Sequence, residues 1–202
     1  MSEIPHLTMT EEEYLAFEAT APEKHQYVNG EVYAMAGSGF AHSIVTMNMA
    51  RAFVNAFAGG PCRTLSSDTR IRVSPTGAYV YPDLSIACEP AKTVGPKPAS
   101  LVNPSAVIEV LSPTTTGDDR SWKFAHYRRI LSLKTYVLVD PLEPLVEVYT
   151  RNPDDSWTMF EAIGREGTIK LPALGIALNL AEVFAGTEDL GPDGEPVQAE
   201  IS

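Results

Sequence analysis

The chain has 202 residues, of which 44% are hydrophobic, and this is enough for one domain with a sizeable core. Its formal net charge of −11 argues against a protein that coats nucleic acid by bulk electrostatics. The sequence has no apolar run near the roughly 20 residues that a membrane span requires, and its acidic N-terminus lacks the apolar segment of a signal peptide.

The two cysteines, Cys62 and Cys88, have no metal-ligand spacing. In a chain without a signal peptide they fit reduced, buried thiols better than a disulfide framework. We therefore expect a cytoplasmic protein that does not associate with a membrane.

The first part of the chain alternates helices and strands. Thr10 and Glu13 form a capping-box pattern at a helix start, and a turn at 28–30 leads into a predicted strand over 31–35. A long helix is predicted over 41–58. Its predicted inner face consists of Ile44, Val45, Met49, Phe53, Val54 and Phe57.

Strands dominate the remainder. They are predicted over 63–66, 68–73, 79–88, 106–111, 135–140, 145–150 and 157–163, with the last two forming a hairpin, and residues 89–104 are predicted to form a loop. Pro82 indicates an irregular or edge position within the strand over 79–88. A helix is predicted after Asp118, with Trp122, Phe124, Ala125, Ile130 and Leu131 as its apolar residues, and a short one over 180–184.

This order predicts an α/β or α+β fold in one domain, 1–185, with helices packed against a mixed sheet. Residues 186–202 hold five acids and no Lys or Arg, and we expect this tail to be disordered. Without it the charge is −6, so a local basic groove remains possible. Five of the 15 basic residues lie between Arg120 and Lys134, although a solvated helix face is the simpler interpretation of that cluster.

Two carboxylates interrupt apolar strands. Glu109 lies in the run 106–111, where an unpaired charge would cost roughly several kcal/mol. Asp83 lies in the run 79–88. Together they could bind one Mg²⁺ or Mn²⁺ ion, since hard divalent cations prefer carboxylate oxygens. Lys123, on the helix that follows, could then orient the attacking water of a phosphodiester hydrolase. A structural ion pair of Glu109 with Lys123 or an arginine is an equally good interpretation.

Four motifs in order resemble the Uma-two family. They are Pro82-Asp83, the run 108–115 (IEVLSPTT), Asp119-x-x-x-Lys123-x-x-x-Tyr127, and the run 136–141 (YVLVDP). That family is assigned to the restriction-endonuclease-like, PD-(D/E)xK fold, and the resemblance spans roughly residues 8–184. It implies Asp83 and Glu109 as metal ligands and Lys123 as the catalytic lysine.

The chain departs from the general nuclease pattern in two places. The lysine expected two residues after the glutamate is Leu111, so Lys123 must supply the amine from the helix, and Gln26 stands where the family often has glutamate. Glu31 matches a Gly-Glu pair of the family and is a further candidate catalytic residue. His42, a possible proton donor or phosphate contact, and Asp68 are weaker candidates for the same pocket.

The resemblance therefore implies a Mg²⁺- or Mn²⁺-dependent endonuclease acting on DNA as a homodimer. Two alternatives stay open: a non-catalytic binding or assembly module that retains the fold, and hydrolysis of RNA or a small phosphodiester. Ser112 lacks a G-x-S-x-G context and the chain has no P-loop or G-x-G-x-x-G motif, which disfavours serine hydrolase and nucleotide-cofactor chemistry.

Overall fold

The computed structural model describes residues 7–35, 37–73, 77–112 and 119–197, apart from the side chains of residues 119 and 120. The strands in these ranges are β1 (Leu7–Thr8), β2 (His25–Val28), β3 (Glu31–Ala34), β4 (Arg63–Ser66), β5 (Ile71–Val73), β6 (Ala78–Val80), β7 (Leu84–Ala87), β8 (Thr93–Val94), β9 (Ser100–Leu101), β10 (Ala106–Val110), β11 (Thr135–Asp140), β12 (Leu145–Arg151), β13 (Trp157–Ile163), β14 (Thr168–Leu171) and β15 (Ile176–Asn179). The helices are α1 (Glu11–Glu18), α2 (Phe40–Ala56), α3 (Phe124–Tyr127) and α4 (Leu180–Val183). A π-helical turn, Asp119–Lys123, leads directly into α3, and Pro172–Leu174 forms a short 3₁₀ turn.

The strands form two large sheets and a hairpin. Sheet A has the order β1-β3-β2-β6-β5-β9-β8, sheet B has the order β13-β12-β11-β10-β7-β4, and β14 pairs with β15. Within sheet B, β10 is parallel to β11 and antiparallel to β7. The predicted mixed α/β architecture in a single domain is confirmed, with the strands divided between two sheets.

The molecule is layered as α2, sheet B, sheet A and α1. One core lies between α2 and sheet B and includes Met49, Phe53 and Ile108. A second core lies between the two sheets and includes Val80, Leu111 and Tyr127. A third, rich in tyrosine, joins α1 to the outer face of sheet A through Tyr14, Tyr27, Val32 and Tyr79. The capping box of Thr10 and Glu13 starts α1 as predicted.

The strand predicted over 79–88 is in fact two strands in different sheets. β6 belongs to sheet A and β7 to sheet B, so Tyr81, Pro82 and Asp83 form the crossover between the sheets. Proline cannot donate to a strand ladder, which explains why pairing stops there. The predicted loop over 89–104 contains the two-residue strands β8 and β9, which are too short to leave a sequence pattern.

Two apolar faces differ from prediction. In α2 the buried residues are Ala41, Val45, Met49 and Phe53. Val54 lies on the opposite side of the helix from these four and is 56% exposed. After the π-helical turn, α3 ends at Tyr127, so Leu131 lies outside the helix and is 82% exposed.

The cysteines are not the reduced thiols predicted from the sequence, because Cys62 and Cys88 form a disulfide. Strands β4 and β7 pair antiparallel with Arg63 opposite Ala87. The next pair outward is therefore Cys62 and Cys88, and this register, which spacing alone does not reveal, brings the two sulfurs together.

The acidic tail differs from the expectation of disorder as far as residue 197. An isolated bridge joins Leu190 to Pro196, and the Gly194 carbonyl accepts a hydrogen bond from the Ala41 amide at 2.9 Å. Glu195 accepts from the Phe40 amide at 3.0 Å. The tail thus satisfies donors at the start of α2 that the helix itself leaves unpaired. Residues 198–202 lie outside the described part of the chain.

Across the described ranges, none of the helices combines the length and the apolar character that crossing a membrane requires.

Candidate active site

The buried carboxylate of Glu109 lies between the two sheets. Alternation along β10 turns Ala106, Ile108 and Val110 toward α2 and turns Val107 and Leu111 toward sheet A. Glu109 shares the second face and is only 3% exposed. A carboxylate in such a place needs compensation by hydrogen bonds or a cation.

Lys123 and Tyr127 supply that compensation. The Lys123 Nζ lies 3.3 Å from Glu109 Oε1, and the Tyr127 hydroxyl donates to the same oxygen at 2.9 Å. Lys123 is 5% exposed and Tyr127 is fully buried, so solvent screens this group little. The two residues are four apart at the junction of the π-helical turn and α3, and this spacing puts them on one side of the helix.

Tyr127 lies in the motif that carries the family resemblance, and its only sequence signal is its spacing of four residues from Lys123. The structure shows that a tyrosine at this position fixes the orientation of the same carboxylate oxygen that the lysine contacts.

Asp83 lies at the crossover, close in sequence to the strand that pairs with β10. The β7–β10 ladder ends with Leu84 opposite Ile108, and Asp83 and Glu109 are the next residues of the two segments beyond that pair. Asp83 Oδ2 accepts a hydrogen bond from the Val110 amide at 2.7 Å. Because that amide belongs to the residue after Glu109, the contact ties the Asp83 carboxylate to the strand that carries Glu109.

His42 joins the group from the first turn of α2. Its Nε2 lies 3.3 Å from Asp83 Oδ1, while its Nδ1 lies 3.4 Å from Thr46 Oγ1. The two side chains remain partly accessible, at 13% for His42 and 19% for Asp83. The structure therefore places His42 against Asp83, and Lys123 and Tyr127 against Glu109, while the hydrogen bond from the Val110 amide to Asp83 links the first pair to the strand that carries Glu109.

Glu31 and Asp68 are placed elsewhere. Glu31 begins β3 after the Asn29-Gly30 turn, and its carboxylate accepts a hydrogen bond from Tyr33. Asp68 is 80% exposed and lies 2.6 Å from Lys24 Nζ. The hydrogen bond from Lys24 is the main cause that lowers the pKa of Asp68. The contacts described for Glu31 and Asp68 are with residues outside the candidate site.

The donor set suits a hard divalent cation. Asp83 and Glu109 offer carboxylate oxygens, the ligands that Mg²⁺ and Mn²⁺ favour, and such ions commonly take few protein ligands and keep several waters. Within the described residues no three His, Cys, Asp or Glu side chains cluster tightly enough to hold an ion. An ion here would thus depend on these two carboxylates together with water or substrate oxygens.

Gln26 provides one further oxygen of interest. It lies on β2 two residues before Val28. Because side chains alternate along a strand, it shares the face of Val28, which packs into the core between the sheets. Its Oε1 is buried, and among the described residues it has no hydrogen-bond partner. An amide oxygen therefore stands unsatisfied on the inner face of sheet A.

Comparisons with known proteins agree with this architecture. The model of the Uma-two family (Uma2), described as "Putative restriction endonuclease", matches residues 11–181. Uncharacterized protein slr1290 of Synechocystis sp. is 32% identical over 184 residues, covering 90% of this chain and 94% of the relative. Uncharacterized protein sll1609 of the same organism is 31% identical over 168 residues, covering 83% and 95%.

A solved structure has the same fold. The crystal structure described as "a putative nuclease belonging to DUF820" from Anabaena variabilis superposes with a TM-score of 0.68 at 18% identity, covering 88% of this chain and 98% of the other. The family model covers well over half of the chain, and two relatives above 30% identity span nearly all of it. The chain therefore belongs to the Uma-two family, whose model is described as "Putative restriction endonuclease".

Proposed function

We propose that this protein is a Mg²⁺-dependent endonuclease that hydrolyses phosphodiester bonds in DNA. The observation that carries the proposal is the hydrogen bond at 2.7 Å from the Val110 amide to Asp83, which precedes β7, beside the 3.3 Å contact of the Lys123 ammonium with Glu109 on β10. Family membership supports a nucleic-acid substrate.

Each residue has a distinct role in the proposal. Asp83 and Glu109 hold the ion, and when bound the ion supplies Lewis-acid polarisation of the phosphate and of the attacking water. Lys123 orients that water and offsets charge on the phosphate. Tyr127 keeps Glu109 fixed, and His42, partly accessible beside Asp83, contacts the substrate phosphate or donates a proton to the leaving oxygen.

Calorimetric titration of the metal-free protein with Mn²⁺ and Mg²⁺ tests the ion site. The wild type should show saturable binding, and Asp83→Ala and Glu109→Ala should each abolish it. Asp68→Ala is the matched control, because Asp68 is exposed and paired with Lys24 and should leave ion binding unchanged. Equal affinity in wild type, Asp83→Ala and Glu109→Ala would rule out the site.

Turnover on several substrates tests the reaction. With Mg²⁺ the wild type should cleave DNA, while Lys123→Ala should bind the ion and lose cleavage, because it removes the group that orients water. RNA and a small phosphodiester belong in the same screen. Ion binding without cleavage of any of them would favour the non-catalytic module that keeps the nuclease fold.

Cleavage of both DNA strands would be served by two active sites, and we propose that the protein acts as a homodimer. Sedimentation equilibrium should then give twice the chain mass of 21.9 kDa. A single species at the monomer mass under assay conditions would contradict this.

A further inference from the structure

A buried carboxylate at the end of α1 lies outside the group just described. Glu18 is the last residue of the helix, where the negative end of the helix dipole disfavours an acid. Its side chain is nevertheless only 4% exposed. Local helix preference does not explain a buried glutamate at this position, so the explanation must lie in its tertiary contacts.

Those contacts lead to the crossover between the sheets. Glu18 Oε1 accepts a hydrogen bond from the Tyr81 hydroxyl at 2.8 Å and another from the His25 amide at 3.1 Å, while Oε2 lies 3.1 Å from His25 Nδ1. In the first of these contacts the Tyr81 hydroxyl is the donor and the Glu18 carboxylate the acceptor.

Tyr81 is the residue from which the chain leaves sheet A for Asp83. Only Pro82 separates them, and its ring restricts φ, so the segment transmits a displacement of Tyr81 to Asp83 with little slack. Beyond Asp83 the chain is fixed by β7, which pairs with both β4 and β10. Asp83 is thus held from two directions, and the Glu18–Tyr81 contact is the anchor on the side of sheet A.

We infer that Tyr81, held by Glu18, is a positioning residue that sets the Asp83 carboxylate against the Val110 amide. The part of this inference that concerns ion binding rests on the proposed function. The alternative is that this hydrogen bond only fastens α1 to sheet A, as several neighbouring tyrosines do.

Tyr27 offers a matched control for the alternative. It is 8% exposed against 6% for Tyr81, it lies in the layer between sheet A and α1, and its hydroxyl donates to the Met9 carbonyl at 3.0 Å. Tyr81→Phe and Tyr27→Phe each remove one buried tyrosine hydroxyl and should lower the melting temperature by similar amounts. Only Tyr81 leads directly to Asp83.

The decisive measurement is hydrogen exchange at the Val110 amide, which donates to Asp83. Tyr81→Phe should accelerate that exchange severalfold, and Tyr27→Phe should leave it at the wild-type rate. Glu18→Ala should reproduce Tyr81→Phe, whereas Glu18→Gln keeps an acceptor for the hydroxyl and should stay near wild type. Unchanged Val110 exchange in Tyr81→Phe, or equal acceleration in both tyrosine variants, would overturn the inference.

Mn²⁺ calorimetry provides the functional readout. Loss of support around a ligand typically weakens a metal site by roughly tenfold or more, and we expect that in Tyr81→Phe but not in Tyr27→Phe. Wild-type affinity in Tyr81→Phe would overturn its link to the ion. If the wild type binds no Mn²⁺, the proposed function fails, and Val110 exchange still decides whether Tyr81 positions Asp83.

Discussion

The contacts of Glu109 show how a charge is tolerated in the centre of a sheet. Its Oε1 receives both the Lys123 ammonium and the Tyr127 hydroxyl, and both partners are buried. In such a setting the attraction offsets a large desolvation cost, and removing one partner leaves the other charge uncompensated. The same geometry serves a catalytic group and a structural ion pair, so stability and turnover must be measured separately.

Substitution of Lys123 should therefore be costly to stability as well as to cleavage. We expect Lys123→Met, which keeps most of the unbranched side chain but removes the ammonium group, to lower the free energy of unfolding by about 3–5 kcal/mol. Adding Glu109→Gln to Lys123→Met should recover part of this loss, because no buried charge then remains. Urea denaturation measures both. A double variant less stable than Lys123→Met would contradict the pairing.

Some residues of the candidate site carry a signal in the sequence, whereas the positions of others depend on the tertiary arrangement. Asp83, Glu109 and Lys123 stand out because a charge in an apolar strand, or on the helix after it, needs a partner. Tyr81 carries no such signal, since tyrosine is common in strands and its contact with Glu18 spans 63 residues. Placing Glu31 and Asp68 requires the tertiary arrangement of strands, which a linear pattern does not contain.

At the scale of elements, α1 is fastened to sheet A by polar contacts as well as by its tyrosine core. Arg72 Nε donates to Glu11 Oε1 at 3.0 Å, and the Tyr79 hydroxyl donates to the same oxygen at 2.6 Å. The hydrogen bond from Arg72 is the largest cause that lowers the pKa of Glu11 below its ordinary value of 4.5. The folded protein therefore binds this proton less tightly than the unfolded chain does.

This contact makes the stability contribution of Glu11 dependent on pH. It is fully present above pH 4.5 and is lost as the pH falls through the lower folded pKa. Glu11→Gln should thus be less stable than wild type at neutral pH, and the difference should shrink in acid. Urea midpoints measured across this range test it, with the exposed neighbour Glu12→Gln as control. A difference that is constant with pH would refute this assignment.

The predicted strands agree with the structure where a single apolar or alternating pattern extends over a whole strand. The strands β10 and β11 and the β12–β13 hairpin match their predicted positions, because buried runs and a turn mark them clearly. The run 79–88 failed because apolar continuity does not distinguish one strand from two strands in different sheets. The helix after residue 118 was predicted too long, since the apolar Ile130 and Leu131 fit a helical period that the chain does not follow.

At the scale of the whole molecule, an acidic protein that cleaves DNA must bind it through local positive charge. Arg128 and Arg129 are both exposed and directly follow α3, the helix that begins next to Lys123. They lie within the segment 120–134 that holds a third of the basic residues of the chain. Substrate bound at Asp83 and Glu109 would pass close to the end of this helix, and we expect both arginines to contact phosphates.

Removing the two arginines should change the salt dependence of DNA binding. Each phosphate contact contributes a slope of roughly −0.9 to log Kobs against log salt, so Arg128→Ala with Arg129→Ala should flatten the slope by roughly two. Fluorescence anisotropy of a short duplex measures this, with Asp83→Ala in every protein to prevent cleavage. Lys170→Ala, at an exposed lysine on β14, is the control and should leave the slope unchanged.

If the double arginine variant keeps the full slope, DNA must reach the carboxylates by another face. A slope that falls equally in the Lys170 control would instead indicate attraction to the overall charge of the protein.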